Sequence, residues 1–263
     1  MERVGAVIEV EGLDAGYEAR AILRDVNLAV RRGEVLVLLG GSGCGKSTLM
    51  RHMIGLNPPL AGRVKVLGEV FAEAGVETPD EVRNRILPHI GVMYQGGALF
   101  GAMTLLENVR LPLEELADLP RGLMDEIARL KLEQVGLGAF ADYFPSEISG
   151  GMQKRAAIAR AMALDPEVLF LDEPSAGLDP LTSAGLDELI LAIREAFGTT
   201  VVMVTHELPS IFTVADRAVY LDRATMGILD EGDPRDLRDS SAHREVRNFF
   251  NRGRAPENGR KGG

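Results

Sequence analysis

Residues 40–48 read GGSGCGKST, directly after the apolar run Glu34-Val-Leu-Val-Leu-Leu39 and ahead of a segment, 46–56, that can be helical. A strand, a glycine-rich turn and a helix with the spacing G-x-x-x-x-G-K-[ST] form a phosphate-binding loop. Gly40, Gly43 and Gly45 let the backbone fold back, so that successive N–H groups point into one concavity. That concavity and the helix N-terminus both favour an anion. Lys46 adds a point charge for β- and γ-phosphates, and the Ser47 hydroxyl suits a Mg²⁺ ion. Gly40, Gly41, Ser42, Gly43, Cys44, Gly45, Lys46, Ser47 and Thr48 are together expected to hold the phosphates of a nucleotide.

The bulk properties set limits around this loop. A chain of 263 residues buries a large core, as one big domain or as a core with a subdomain. Hydrophobic residues at 46% and charged residues at 26% fit a globular protein. The net charge of −10 argues against broad nucleic-acid binding, which needs a basic face to displace counterions. Only the end is basic, with Arg252, Arg254, Arg260 and Lys261, and residues 251–263 have the composition of a disordered tail. The single cysteine, Cys44, excludes an internal disulfide and fits a reducing compartment. No run approaches 18 apolar residues, and the first residues lack the apolar core of a signal peptide. A cytosolic chain that meets a membrane only through a partner is therefore expected.

Along the chain, 6–10, 26–30, 62–67 and 90–94 read as strands, with 12–18 and 31–33 as turns. From Gln95 to about Leu164 the pattern is helical. Leu123, Ile127 and Leu130 share one helix face, Met152, Ala156, Ala159 and Ala163 another, and Pro112, Pro120 and Pro145 divide the segments. Val168 to Asp172 and Val201 to Thr205 read as fully buried runs, as parallel strands covered on both sides are. Between them Leu186, Leu189, Ile190, Ile193 and Phe197 form a helix stripe closed by Gly198. Residues 217–221 and 227–230 read as a closing pair of strands, and Asp233-Pro234 as a helix start. The sum is an α/β core interrupted by a helical insertion of about 70 residues.

Two further constellations carry chemistry. Val168-Leu-Phe-Leu-Asp172-Glu173 puts carboxylates at the C-terminal end of a buried strand, where open parallel sheets bind ligands. Asp172 suits Mg²⁺, and Glu173 is placed to polarise a water for attack on a γ-phosphate. Ser149-Gly-Gly151 precedes a helix with a small-residue face. Ser149 is an N-cap type, and the glycines allow close approach of an anion to the helix dipole. An ordinary capped helix explains these three residues equally well on their own. Cys44 faces helix-terminal N–H groups that favour thiolate, and is also simply a small residue; a bulky thiol reagent there is expected to block nucleotide binding by filling the concavity.

The order GGSGCGKST, Gln95, SGGMQKRAAIARAMALDPEVLFLDEP, SAGLD and a lone His206 resembles the ATPase subunit of ABC transporters from Tyr17 to about Glu231. The resemblance implies a RecA-like phosphate-loop core with an N-terminal antiparallel β subdomain and an inserted α-helical subdomain. The domain would span 1–250, with core segments of about 1–94 and 165–235 around a helical part of about 95–164. ATP and Mg²⁺ are the implied ligands. Tyr17 matches the aromatic that stacks on adenine, and Gln95 the glutamine that contacts Mg²⁺ and the attacking water. Ser149, Gly150 and Gly151 match the signature that meets the γ-phosphate held by a second copy, in a homodimer of ATPase subunits. Met152 departs from the commoner glutamine, which weakens any ribose contact there. Asp179, in Ser175-Ala-Gly-Leu-Asp179, belongs to the segment that crosses the dimer interface, and His206 matches the switch histidine beside the γ-phosphate. The implied catalytic set is Glu173, His206, Gln95 and Lys46, and the implied Mg²⁺ set Ser47, Gln95 and Asp172.

The stretches Tyr94-Gln-Gly-Gly-Ala-Leu-Phe100 and Met103-Thr-Leu-Leu-Glu-Asn-Val109, with SGGMQKR, are similar to the Mla/Mkl type, as is Glu245-Val-Arg-Asn-Phe-Phe-Asn251. That type implies phospholipid trafficking with an integral membrane permease, an Mce-type lipid-binding protein and a small regulatory subunit, at the cytoplasmic face of the inner membrane. An importer ATPase for a small polar solute is the alternative. A non-transport ABC ATPase is the distant one, because this chain has one cassette and neither a zinc module nor a long coiled coil. A guanine-reading Asn-Lys-x-Asp segment is absent.

Overall fold

The computed structural model describes residues 5–18 and 20–251. Strand β3, Val35–Gly40, is buried at every position, as are β7, Val168–Asp172, and β8, Thr200–Val204. Strands that hide both faces need a layer on each side. They lie in a six-stranded sheet with β6 (Ile90–Met93), β9 (Arg217–Asp222) and β10 (Gly227–Gly232), in the order β10-β9-β3-β8-β7-β6. All neighbours are parallel except the β9–β10 hairpin. The even side chains of β3, Leu36 and Leu38, join one core and the odd ones, Val35, Val37 and Leu39, the other. This is the period-two consequence of a sheet in the middle of the molecule.

A second, four-stranded antiparallel sheet covers one of those faces, in the order β2-β1-β4-β5. Its strands are β1 (Ala6–Tyr17), β2 (Arg20–Arg31), β4 (Ala61–Val66) and β5 (Glu69–Glu73). Residues 12–18, expected as a turn, are instead mostly the second half of β1. Gly12 takes a positive φ, register shifts follow at Val10/Leu13 and Leu13/Ala15, and the strand bends without ending. Strand β5 and helix α2, Asp80–Ile86, have no counterpart in the sequence reading.

Helix α1 (Lys46–Met53) follows β3, and helices α3 (Leu105–Leu116), α4 (Arg121–Gln134) and α5 (Gly150–Ala161) surround a core of their own. Pro112 does not divide segments: it lies inside α3. Leu105, Val109 and Leu113 are buried at four-residue spacing, and that shared face carries the helix across the one backbone bond the ring removes. The face expected on α4 is also off by one position. Leu123 and Leu130 are 43% and 51% exposed, while Met124, Ala128 and Leu132 are buried. Lys131 buries its stem on that inner face, with Nζ 2.5 Å from Asp165 Oδ1 and over the Phe197 ring, so hydropathy alone misplaces the stripe.

Helix α6, Pro180–Phe197, ends at Gly198 in the left-handed conformation, as expected. Helices α7 (Leu208–Val214), α8 (Pro234–Ser240) and α9 (Arg244–Phe250) complete the second core. Asp233 caps α8 by accepting from Arg235 N–H. Phe249 and Phe250 are buried against Tyr220 and Phe212. Of the basic end, residues 252–263 lie outside the described residues.

Candidate nucleotide-binding and hydrolytic site

The loop between β3 and α1 is shaped by what lies under it. Gly40 has φ +141°, and a Cβ there would lie 2.2 Å from the Leu221 carbonyl oxygen and 2.5 Å from Cys44 Sγ. Any side chain must push β3 from β9. Gly40→Ala is therefore expected to cost about 2–4 kcal/mol of stability and to abolish nucleotide binding; an unchanged melting temperature would contradict this packing. Helix α1 starts after Gly45 with no side-chain cap, so its first N–H groups face the loop's mouth. Lys46 Nζ donates to the Gly40 and Gly41 carbonyls at 3.0 and 3.1 Å, which holds the ammonium at that mouth. Ser42 and Gly43 form the exposed lip.

Cys44 behaves differently from the expectation of a thiol in the concavity. It is 2% exposed and belongs to the core under the loop, with Sγ packed beneath Gly40. Burial pushes its thiol up from the ordinary range and outweighs the Lys46 charge. Folded protein is expected to resist alkylation of Cys44, with labelling at least ~100-fold slower than in denaturant. Rapid labelling at neutral pH would show that the loop opens.

Asp172 ends β7 with its carboxylate buried, and the Ser47 hydroxyl and the Lys46 and Arg51 charges lie near enough to favour its ionised form. Burial, and then the neighbouring Glu173 charge, raise the Asp172 pKa. Glu173 follows with φ +49°, a left-handed backbone rare for a side chain of this size. That conformation is held from both sides. The Glu173 N–H donates to the Val204 carbonyl at 2.8 Å, and its carbonyl accepts from Ala176 N–H at 3.2 Å and Lys154 Nζ at 3.4 Å. Lys154 is buried; desolvation lowers its pKa, and the Glu173 and Asp172 charges oppose that. The turned backbone brings Glu173 Oε1 to 2.9 Å from His206 Nδ1, while Oε2 is buried with no protein partner. His206, just past β8, is 58% exposed, with Nε2 3.5 Å from Glu207 Oε1. A carboxylate with one oxygen pinned and the other free, beside a loop for phosphates, is arranged to accept a proton from a water.

Tyr17 stands at the end of β1, 41% exposed. Its hydroxyl accepts from Arg51 at 2.9 Å and lies 3.5 Å from Thr48 Oγ1, which fixes the ring beside α1. The ring lines a cavity of about 600 Å³ with Arg20, Ile22, Gly43, Arg223 and Met226. Arg223 and Met226 come from the β9–β10 turn, joined to β2 by the Arg24 N–H to Met226 carbonyl bond of 2.7 Å. Sequence reading finds Tyr17 and misses these partners, because nothing local in a hairpin turn says which strand it will touch.

His52, also missed, is fully buried on α1 and ties it to β1. Nδ1 is 2.8 Å from the Thr48 carbonyl and Nε2 accepts from the Gly16 N–H at 3.4 Å, so the ring is neutral with its proton on Nδ1. Burial pushes its pKa below the ordinary 6.5. A base with a depressed folded pKa binds more protons unfolded, so stability is fully present above pH 6.5 and is lost as pH falls towards the folded pKa. The melting temperature is expected to fall below pH 6.5 with a slope that His52→Asn reduces; parallel slopes would contradict the assignment.

Ser149, Gly150, Gly151 and Asp179 are not drawn into this cluster. Ser149 caps α5 by accepting from Met152 N–H at 3.3 Å and is exposed, as is Gly150. Gly151 lies where a Cβ would be 2.6 Å from Thr182 Cγ2, so the turn rests on the start of α6. Asp179 caps α6 through the Leu181 and Thr182 N–H groups, both at 3.1 Å, and the Thr182 hydroxyl holds its carboxyl below the usual range. Next to it Leu181 is 83% exposed. Gln95 is exposed, two residues beyond β6.

Residues 23–176 match the family model described as ABC transporter. The chain is 39% identical over 248 residues, 94% of its length and 70% of the relative's, to the probable ribonucleotide transport ATP-binding protein mkl of Mycobacterium leprae (strain TN). It is 38% identical over 220 residues, 84% of its length and 80% of the relative's, to the intermembrane phospholipid transport system ATP-binding protein MlaF of Escherichia coli (strain K12). Among solved structures it resembles the dimeric post-hydrolysis state of the ATP-binding cassette MJ0796 bound to ADP and Pi. That match has a TM-score of 0.76 and 29% identity, and covers 86% of this chain and 98% of the other. With the phosphate loop on β3, the carboxylate pair on β7 and the histidine after β8 in one sheet, the chain belongs to the ATP-binding subunits of the ABC transporter family.

Proposed function

We propose that this chain hydrolyses ATP as one half of a head-to-tail pair and so drives phospholipid movement through a membrane permease. What carries the reading is the split arrangement of the groups. Lys46, Ser47, Asp172, Glu173 and His206 gather beyond the C-terminal ends of β3, β7 and β8, whereas Ser149 and Gly150 stand exposed at a separate helix terminus with no hydrogen bond to that cluster among the described residues. A terminus with free N–H groups facing outward suits a phosphate held by another copy. The exposed Leu181 beside Asp179 suits burial in the same contact.

In the proposed cycle, residues 40–48 hold the triphosphate, with Lys46 on the β- and γ-phosphates and the base on Tyr17. The Ser47 hydroxyl and the nearby Asp172 carboxylate would hold Mg²⁺ with the Gln95 amide oxygen. These are hard oxygen donors, and the ion supplies charge neutralisation on the phosphates. Among the described residues no cluster of three or more His, Cys, Asp or Glu could hold a metal alone, which suits an ion that arrives with its nucleotide. Glu173 takes a proton from the water as its oxygen bonds to the γ-phosphorus; the bond to the β-phosphate oxygen breaks and ADP leaves with that electron pair. His206 holds Glu173 in place and meets the developing negative charge. The partner's signature at Ser149 closes the site, and release of phosphate removes what held the two copies together. Residues 95–164 would move as a helical subdomain and carry that change to the permease.

No described helix is long and apolar enough to cross a membrane, so the route for cargo belongs to a partner. The relatives' names divide between phospholipid and ribonucleotide, and the ribonucleotide name favours the polar-solute alternative. Mass spectrometry of the complex extracted through a tag on this chain decides. Co-purified phospholipid with a permease and an Mce-type protein is expected; a permease carrying polar solute and no lipid would overturn the lipid reading. Ser149→Arg is expected to keep ATP binding at its own loop within about 3-fold and to lose at least ~100-fold of hydrolysis. Retained hydrolysis would sink the head-to-tail pair.

A further inference from the structure

Gln95 is followed by an improbable piece of backbone. Gly96, Gly97 and Ala98 have φ of +78°, +82° and +48°, three left-handed residues in succession, the last with a side chain. Such a run turns its carbonyls away from any regular partner and persists only where its surroundings over-determine it. Here the Gly97 N–H closes the turn onto the Tyr94 carbonyl at 2.8 Å, and one side chain takes the carbonyls. Arg160 on α5 donates from Nη2 to the Gly97 carbonyl and from Nη1 to the Ala98 carbonyl, both at 2.8 Å. Its guanidinium is buried, with the Phe100 ring 6.0 Å away, and among the described residues it has no carboxylate partner. A buried cation without an anion is costly, and these carbonyls are what satisfies it. Gly97 adds a second contact with the same helix: a Cβ there would lie 3.3 Å from the Ala157 methyl.

We propose that Arg160 is a positioning residue that locks the loop after Gln95 onto the signature helix, so that Gln95 and Ser149 move together. The proposal rests on the role given to Gln95 above. The planar fork of arginine spans two adjacent carbonyls, and lysine reaches one. Helix α5 carries Ser149 at its start and Arg160 near its end, so a pull by the partner's nucleotide at Ser149 reaches the Gln95 loop of the opposite site without a flexible joint.

The test is steady-state ATP hydrolysis by the complex extracted through a tag on this chain, with Arg160→Met, Arg160→Lys, Gln95→Ala and the Arg160→Met/Gln95→Ala pair. Arg160→Met is expected to lower kcat about 10-fold with KM for ATP within about 2-fold, and Arg160→Lys to recover part of the loss. If Arg160 acts through Gln95, the pair is no slower than Gln95→Ala; independent effects would make the pair about 10-fold slower again than Gln95→Ala and overturn the proposal. A slow Gln95→Ala beside a silent Arg160→Met overturns the clamp alone. A silent Gln95→Ala beside a slow Arg160→Met overturns the role of Gln95 and the routing with it. Arg155→Met serves as control, since Arg155 on the same helix donates to the Gly185 and Val135 carbonyls at 3.0 and 3.4 Å, away from the loop. Amide exchange at residues 96–99 is expected to quicken in Arg160→Met and not in Arg155→Met; equal protection in both overturns the clamp. Should Arg160→Met fail to fold, Arg160→Lys, which keeps the buried charge, is read in its place: full activity and protection at 96–99 overturn the proposal.

Discussion

Glu173→Gln is expected to bind ATP with wild-type affinity within about 3-fold and to hydrolyse it at least ~10³-fold more slowly, while the paired form accumulates. The amide keeps the size of the carboxylate and can still meet His206 through its oxygen, so the left-handed backbone and its bonds to Val204 and Ala176 stay in place. What is lost is the ability to take a proton, at an atom, Oε2, that has no other partner. Size-exclusion chromatography with ATP and a single-turnover assay read the two halves separately. A saturated monomer would contradict closure around nucleotide, and fast single turnover would move the base elsewhere. Glu173→Val is uninformative by comparison, because a β-branched residue resists φ +49° and would damage the turn as well.

Lys46→Ala removes the only cation whose ammonium sits inside the loop's mouth among the described residues. Charge-assisted contacts with phosphate contribute about 1.5–3 kcal/mol each. Loss of one or two predicts ATP affinity weaker by about 10²-fold and hydrolysis lower by at least ~10³-fold. Titration with a fluorescent ATP analogue gives the first number and phosphate release the second. The same ammonium bridges Gly40 and Gly41, so the empty loop should also loosen and the melting temperature should fall slightly even without nucleotide. Normal hydrolysis would mean that residues 40–48 are not the phosphate site.

Much of this was legible in the chain because the decisive signals are local. A loop that must wrap phosphate needs glycine at fixed places, and Gly40 shows why: a carbonyl from β9 and a sulfur occupy the space a side chain would take. The nearly continuous apolar runs of β3, β7 and β8 read as central strands, and every position in them is buried. What escaped were features decided by contact across the fold. Hydropathy places the α4 stripe one position off because Lys131 points inward, and Pro112 marks a break by local rules although packing carries its helix through it. For Cys44 the chain leaves both a thiolate and a merely small residue open, and burial favours the second. Lys154 and Arg160 lie in the stretch after Ser149 and His52 in no motif, and none of the three shows in sequence which backbone group it reaches on another element.

The pocket around Tyr17 is made by two sheets that share few bonds. The ring and Arg20 belong to the antiparallel layer, Arg223 and Met226 to the parallel one, and the Arg24–Met226 bond spans the seam. A base lodged there is gripped by two jaws rather than one. With adenine on Tyr17 as proposed, a tilt between the layers would reach the nucleoside directly, and a fluorescent adenine analogue would gauge how far the jaws shift during turnover.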